Sequence, residues 1–109
     1  MTVKMLSEKL QLEVIAMPCG EREIHGAYIC DLLSWVMGRA KADDAWITIM
    51  TNSNIVAVAS LVDTACILLA EGVKVDDATK QLAVEKGVNI LVSNKPSYET
   101  AISVFKILS

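Results

Sequence analysis

Near the start of the chain, Met5, Leu6 and Leu10 recur at the spacing that gathers side chains on one face of a helix. Thr2 stands where a hydroxyl would accept from the first helical turn, so the pattern predicts a helix over 3–10. Residues 12–16 read as a strand. Pro18 and Gly20 interrupt the pattern over 17–23, which makes that stretch a turn or loop, and a second extended run follows over 24–30. Asp31 is placed to cap a helix from 32 to about 40, where Leu32, Leu33, Val36 and Met37 keep helical spacing. After a polar turn at 41–44 the alternation becomes regular. It predicts a strand at 46–50, a helix at 55–62, a strand at 66–70, a helix at 76–86 closed by Gly87, a strand at 88–92 and a helix at 97–108.

Short apolar strands separated by crossover helices call for an α/β fold with a mostly parallel sheet, helices on both faces and right-handed connections. The helices differ in how much polar surface they offer. Asp77, Lys80, Gln81, Glu85 and Lys86 surround a stripe of Ala78, Leu82 and Ala83, which leaves one face of that helix to solvent. The last helix places Ala101, Ile102, Phe105 and Leu108 on one side. The helix at 55–62 carries no charge, so the pattern has it covered nearly all round, and a second subunit is the simplest cover in so small a domain. The expectation is a homodimer.

At 109 residues the chain is expected to form one domain over 1–109 with a single core. Its hydrophobic fraction of 53% against 21% charged makes it apolar for its size. The longest charge-free stretch, 45–62, is interrupted by Thr48, Thr51, Asn52, Ser53, Asn54 and Ser60 and is no membrane span. Lys4, Glu8 and Lys9 break up the first residues, unlike a signal peptide, and the expected residence is cytoplasmic. Cys19, Cys30 and Cys66 form no paired spacing and read as free, mostly buried thiols. A net charge of −3 without a basic run gives nucleic acid little to hold.

Reaction chemistry is hard to find. The glycines never approach a phosphate-loop or dinucleotide spacing, and His25 is the only histidine, so no metal set and no cofactor is expected. His25 and Cys30 are five apart on one predicted strand, on opposite faces and roughly 17 Å from each other, which forbids a nucleophile–base pair. The carboxylate pairs Asp43/Asp44 and Asp76/Asp77 read as a polar turn and a helix start. No enzyme is expected. Two polar clusters rise above this background at the carboxyl ends of predicted strands: Thr51, Asn52, Ser53 and Asn54, then Ser93, Asn94, Lys95, Pro96 and Ser97. Ligands of open parallel sheets bind outside such strand ends, where helix N-termini favour anions, so the clusters are expected to share one crevice. Helix capping is the alternative use of the same residue types.

The stretch Glu21-Arg22-Glu23-Ile24-His25-Gly26-Ala27-Tyr28-Ile29-Cys30-Asp31-Leu32-Leu33, with 40–49 and 54–61, resembles a DRTGG domain over nearly the whole chain. Arg22 and the first glycine of the naming motif, Gly26, are kept; Glu21 stands where Asp is usual and His25 where a small polar residue is. The resemblance implies a fold similar to the amino-terminal domain of HPr kinase/phosphorylase, without the kinase. It also implies an accessory, regulatory role like that beside phosphotransacetylase domains and in CBS-containing pyrophosphatases, where the regulatory region responds to adenine nucleotides. By residue type, Arg22 offers a fork of donors to phosphate and Gly26 a close backbone approach, although Arg22 would equally clamp its own loop. The expected ligand contacts are Arg22, Gly26, Asp31, Thr51, Asn52, Ser53, Asn54, Ser93, Asn94, Lys95 and Ser97, around an anionic small molecule such as an adenine nucleotide. The competing expectation is an adaptor that docks a protein partner on its apolar helix and exposed Met and Trp.

Overall fold

A computed structural model describes residues 1–109. The chain runs α1 (Val3–Lys9), β1 (Glu13–Ala16), β2 (Gly26–Ile29), α2 (Leu33–Arg39), β3 (Asp44–Thr48), α3 (Asn54–Val62), β4 (Cys66–Leu69), α4 (Asp77–Lys86), β5 (Ile90–Val92) and α5 (Ser97–Leu108). One five-stranded sheet has the order β1-β5-β4-β3-β2. β2 to β5 are parallel, and β1 pairs antiparallel with β5 along the far edge.

The alternation of side chains along each strand explains why helices are needed on both faces. On one face Trp46, Ile67, Leu69, Ile90 and Val92 pack with Val36 of α2, Ile55 and Val56 of α3 and Ala83 of α4. On the other, Ala45, Ile47, Cys66, Leu68 and Leu91 pack with Val3 and Leu6 of α1 and Val104 of α5. Trp46 is fully buried, and its ring Nε1–H donates to the Cys30 carbonyl at 2.9 Å, so its polar edge is satisfied as its bulk fills the core.

Local chemistry sets the helix ends. Thr2 accepts from the Met5 N–H at 3.1 Å, and Asp76 accepts from the Thr79 N–H at 2.7 Å. That bond holds the Asp76 carboxyl below its ordinary range. α4 closes at Gly87 with φ +70°, a left-handed position suited to a residue without Cβ.

Two expectations need correction. Asp31 does not cap α2, whose N-cap is Leu32 without a side-chain bond. Asp31 Oδ1 instead accepts from Thr48 Oγ1 at 2.7 Å and from the Ile49 N–H at 3.1 Å, a donor that the end of the β3 ladder leaves available. Within one chain α3 is covered on one side: Ile55, Val56, Val58 and Ala59 are buried, while Ala57, Ser60 and Leu61 face outward, Leu61 with 73% of its surface exposed. An uncharged sequence fixes which residues avoid charge and leaves open how many sides the fold covers. Of the three free thiols only Cys66 is buried; Cys19 is exposed and Cys30 half-buried.

This topology positions the candidate site. α3 and α4 leave β3 and β4 toward one face, whereas α5 leaves β5 toward the other. The connections therefore part beyond the carboxyl ends of β4 and β5, the arrangement that opens a crevice in α/β sheets.

Candidate functional site

The eleven residues expected to contact ligand fall at opposite ends of the sheet. Arg22 and Gly26 sit at the amino ends of the strands. The Arg22 guanidinium donates through Nε and Nη2 to Asp43 Oδ1 at 3.2 and 2.9 Å, through Nη1 to Asp63 Oδ1 at 2.8 Å, and to the Asp63 carbonyl. The hydrogen bond to Asp63 raises the Arg22 pKa above its ordinary value; partial burial opposes this and Asp43 adds to it. Asp43 and Asp63 adopt φ of +68° and +69°, left-handed positions that short acidic side chains tolerate. Gly26 is needed for a different reason from ligand approach, since a Cβ there would lie 2.9 Å from Asp44 Oδ1. The Asp44 carboxylate is itself fixed by the Lys41 N–H at 2.8 Å. An added anion would meet three carboxylates around an arginine whose donors are already engaged. The Arg22 loop is a clamp joining the 17–23 loop, the start of β3 and the end of α3.

The remaining residues lie at the carboxyl ends, a strand length of roughly 15 Å away. The expected contact set is therefore divided between the two ends of the sheet. The two clusters share the carboxyl end, but β4 separates their strands by two spacings, about 10 Å. Asn52 Oδ1 accepts from the Asn54 N–H at 3.0 Å in a local turn, and Ser53 at the N-cap of α3 makes no side-chain bond. Thr51 is half-buried and Asn52, Ser53 and Asn54 are exposed; none of the four lines a cavity.

The second cluster is built into the fold. Ser93 Oγ is 2.9 Å from Thr100 Oγ1 and accepts from the Lys95 N–H at 3.2 Å. The loop after β4 closes against it: the Glu71 N–H donates to the Lys95 carbonyl and the Gly72 N–H to the Ser93 carbonyl, both at 2.9 Å. Glu71 Oε2 accepts from the Ser97 N–H at 2.9 Å, so a side chain of the chain itself already occupies the start of α5. Ser93 and Ser97 thus hold structure.

Beside this loop lies a cavity of about 320 Å³. Ser93, Asn94 and Lys95 line it from the β5–α5 loop and Thr100 and Ser103 from α5, while the end of α1 and the α1–β1 turn contribute Lys9, Leu10, Gln11 and Leu12. Seven of its nine lining residues are polar, two of them lysines and none of them acidic. Neither lysine forms an ion pair within the chain. Lys9 and Gln11 were not among the expected contacts. They reach the site because β1 runs antiparallel to β5, which brings the start of β1 to the end of β5, and nothing in the spacing of residues 9–12 announces that pairing.

The DRTGG domain family model matches residues 6–107. Among solved structures, the chain is similar to the crystal structure of the CBS and DRTGG domains of the regulatory region of Clostridium perfringens pyrophosphatase, complexed with its activator diadenosine tetraphosphate. The TM-score is 0.74 at 10% sequence identity, over 94% of this chain and 45% of that one, so this chain spans less than half of that structure's length. At such identity the likeness bears on the fold. No curated protein matches the chain.

Proposed function

The chain belongs to the DRTGG domain family, and from that premise we propose that it is a regulatory, non-catalytic domain that holds a phosphate-bearing small molecule, such as an adenine nucleotide, in the cavity between the α1–β1 turn and the β5–α5 loop. The observation that carries this reading is a cavity of about 320 Å³ in which Lys9 and Lys95 are unpaired and no lining residue is acidic. That volume falls within the range of small-molecule sites, and ammonium groups suit phosphate oxygens. The activator of the pyrophosphatase regulatory region, a polyphosphate carrying two adenosines, supports the choice of ligand class. A molecule bound there would bridge α1 and α5, which share one face of the sheet, and so alter how firmly the amino-terminal helix is held. Cytoplasmic residence and self-association belong to the same reading; no helix is long and apolar enough to cross a membrane.

Thermal-shift titration with AMP, ATP, diadenosine tetraphosphate and inorganic phosphate tests the proposal. At 100 times the dissociation constant the ligand adds about 2.7 kcal/mol, a rise of roughly 10–20 °C in a domain of this size. Lys9→Glu and Lys95→Glu should remove the rise. The absence of any rise with all four compounds at millimolar concentration contradicts the reading.

A second reading, a protein-docking adaptor, draws on the outer side of α3. Leu61 stands beside Val56, Ala57 and Leu82 along a shallow groove and is 73% exposed. Co-purification of a stoichiometric partner, lost in Leu61→Lys and kept in Lys95→Glu, would favour it over the ligand reading.

A further inference from the structure

The two edges of the sheet are built differently. β1 carries Glu13 at its start, and its register with β5 breaks between Val14 and Ala16, two devices that blunt an edge against further pairing. β2, Gly26–Ile29, has no charge and no proline, and it keeps an unbroken register with β3. The Cys30 N–H donates to the Ile47 carbonyl. By the alternation of a parallel ladder, the N–H and C=O groups of Ala27 and Ile29 therefore point away from the sheet.

Apolar surface borders this free edge on both faces. Toward α5, Ala27 and Ile29 form with Phe105 and Leu108 a groove of about 370 Å³, in which Ile29 is 50% and Phe105 73% exposed. Toward α2, Trp35 is 48% exposed with the Arg39 guanidinium 3.8 Å above its ring, and Arg39 also lies beside Tyr28 of β2.

We propose that β2 is the surface through which two copies of this chain associate, antiparallel about a two-fold axis, joining two five-stranded sheets into one continuous sheet. This rests on the self-association included in the preceding reading and names its surface. The edge is its own complement. With Ala27 opposite the partner subunit's Ile29, and the reverse, the outward donors and acceptors of both strands are satisfied reciprocally. Ile29, Trp35 and Phe105 leave roughly 300 Å² per chain to be covered, taking about 150–250 Å² for a whole aromatic side chain. That is a substantial part of the ~800 Å² per partner that a stable interface buries, before the β2 backbone and Leu108 are counted.

Light scattering on the full chain, with Ala27→Pro, Ile29→Lys and Leu61→Lys, tests the proposal. The Ala27 N–H is unused within one chain, so proline there removes a bond that only the pair would make. The wild type and Leu61→Lys should have the mass of two chains at micromolar concentration. Ala27→Pro and Ile29→Lys should have the mass of one, with unchanged circular dichroism and a dimer dissociation constant at least a hundredfold higher. Should Ala27→Pro unfold, Ile29→Lys decides. A dimer that survives both substitutions, or that Leu61→Lys dissolves, places the interface elsewhere and overturns the proposal. A wild type with the mass of one chain overturns it together with self-association. Nucleotide thermal shifts on Ile29→Lys report the ligand site separately, because that residue lines no part of it.

Discussion

At the amino ends of the strands, Arg22, Asp43, Asp44, Asp63 and Glu23 each have a partner within the chain. At the carboxyl ends, Lys9 and Lys95 line a cavity and have none. Residue type alone would rank the arginine above the lysines as a phosphate contact, since its fork of donors matches the ligand better. The fold reverses the ranking, because donors already engaged with two carboxylates are not available to a third anion. A charged group is evidence for a ligand only once its local partners are known.

The comparison makes unequal demands on stability, and the largest effect should come from the amino end. Asn89 is 1% exposed; its Nδ2 donates to the carbonyls of Cys19 and Ala65, and its Oδ1 accepts from the Cys19 N–H at 2.9 Å. Asn89→Ala removes the partner of the Cys19 N–H and carbonyl in the 17–20 loop and of the buried Ala65 carbonyl, and should cost about 3 kcal/mol in urea unfolding. A loss under about 1 kcal/mol would mean that the loop is held by something else. Next comes Arg22→Met, expected to cost about 2 kcal/mol for a clamp that is partly exposed, with no change in affinity for phosphate compounds. Arg22→Lys should recover only part of that loss, because an ammonium cannot span Asp43 and Asp63 as the planar fork does. Weaker phosphate binding in a folded Arg22 variant would erase the distinction between the two ends.

Much of this architecture is legible in the sequence, for reasons that can be read at particular residues. Thr2, Asp76 and Gly87 mark helix ends through chemistry local to a few residues, and those marks are borne out. The runs Ala45–Ile47 and Cys66–Leu69 are apolar on both pleat faces, as strands covered by helices on two sides must be. What pattern does not carry is which distant elements meet. Arg22 finds Asp63 across 41 positions, and Lys9 meets Asn94 only because β1 turns back beside β5. Asp31 shows the same limit at short range. Its position before a helix suits a cap, yet a donor at the end of the neighbouring strand claims its carboxylate. Of the residues lining the cavity, Ser93, Asn94 and Lys95 belong to a polar cluster the sequence singles out, whereas Lys9 and Gln11 reach it only through the tertiary pairing.

A smaller effect concerns pH and lies in the core at the start of β4. Burial pushes the Cys66 thiol from an ordinary value near 9.0 up to about 12, with the Arg22 charge opposing the shift. The folded-state value is raised, so this contribution to stability is full below the unfolded thiol's pKa. It is lost progressively as pH rises from about 9 to about 12. Denaturation followed over that range should show the alkaline limb, and Cys66→Ala should flatten it, although the variant is less stable throughout. The smallest stability effect belongs to the cavity. Lys9→Ala and Lys95→Ala should each change unfolding free energy by less than about 0.5 kcal/mol, as exposed positions without partners do. Each should nonetheless weaken phosphate or nucleotide binding by about tenfold, as the loss of one charge-assisted bond would.

The contrast between an engaged end and an available end is tested most directly by following backbone amide resonances while diadenosine tetraphosphate or ATP is added. The account predicts shifts centred on Lys9, Gln11, Asn94, Lys95 and Ser103, with Arg22, Gly26, Asp43 and Asp63 unmoved. Shifts centred on the Arg22 clamp, or none anywhere at millimolar nucleotide, would contradict it.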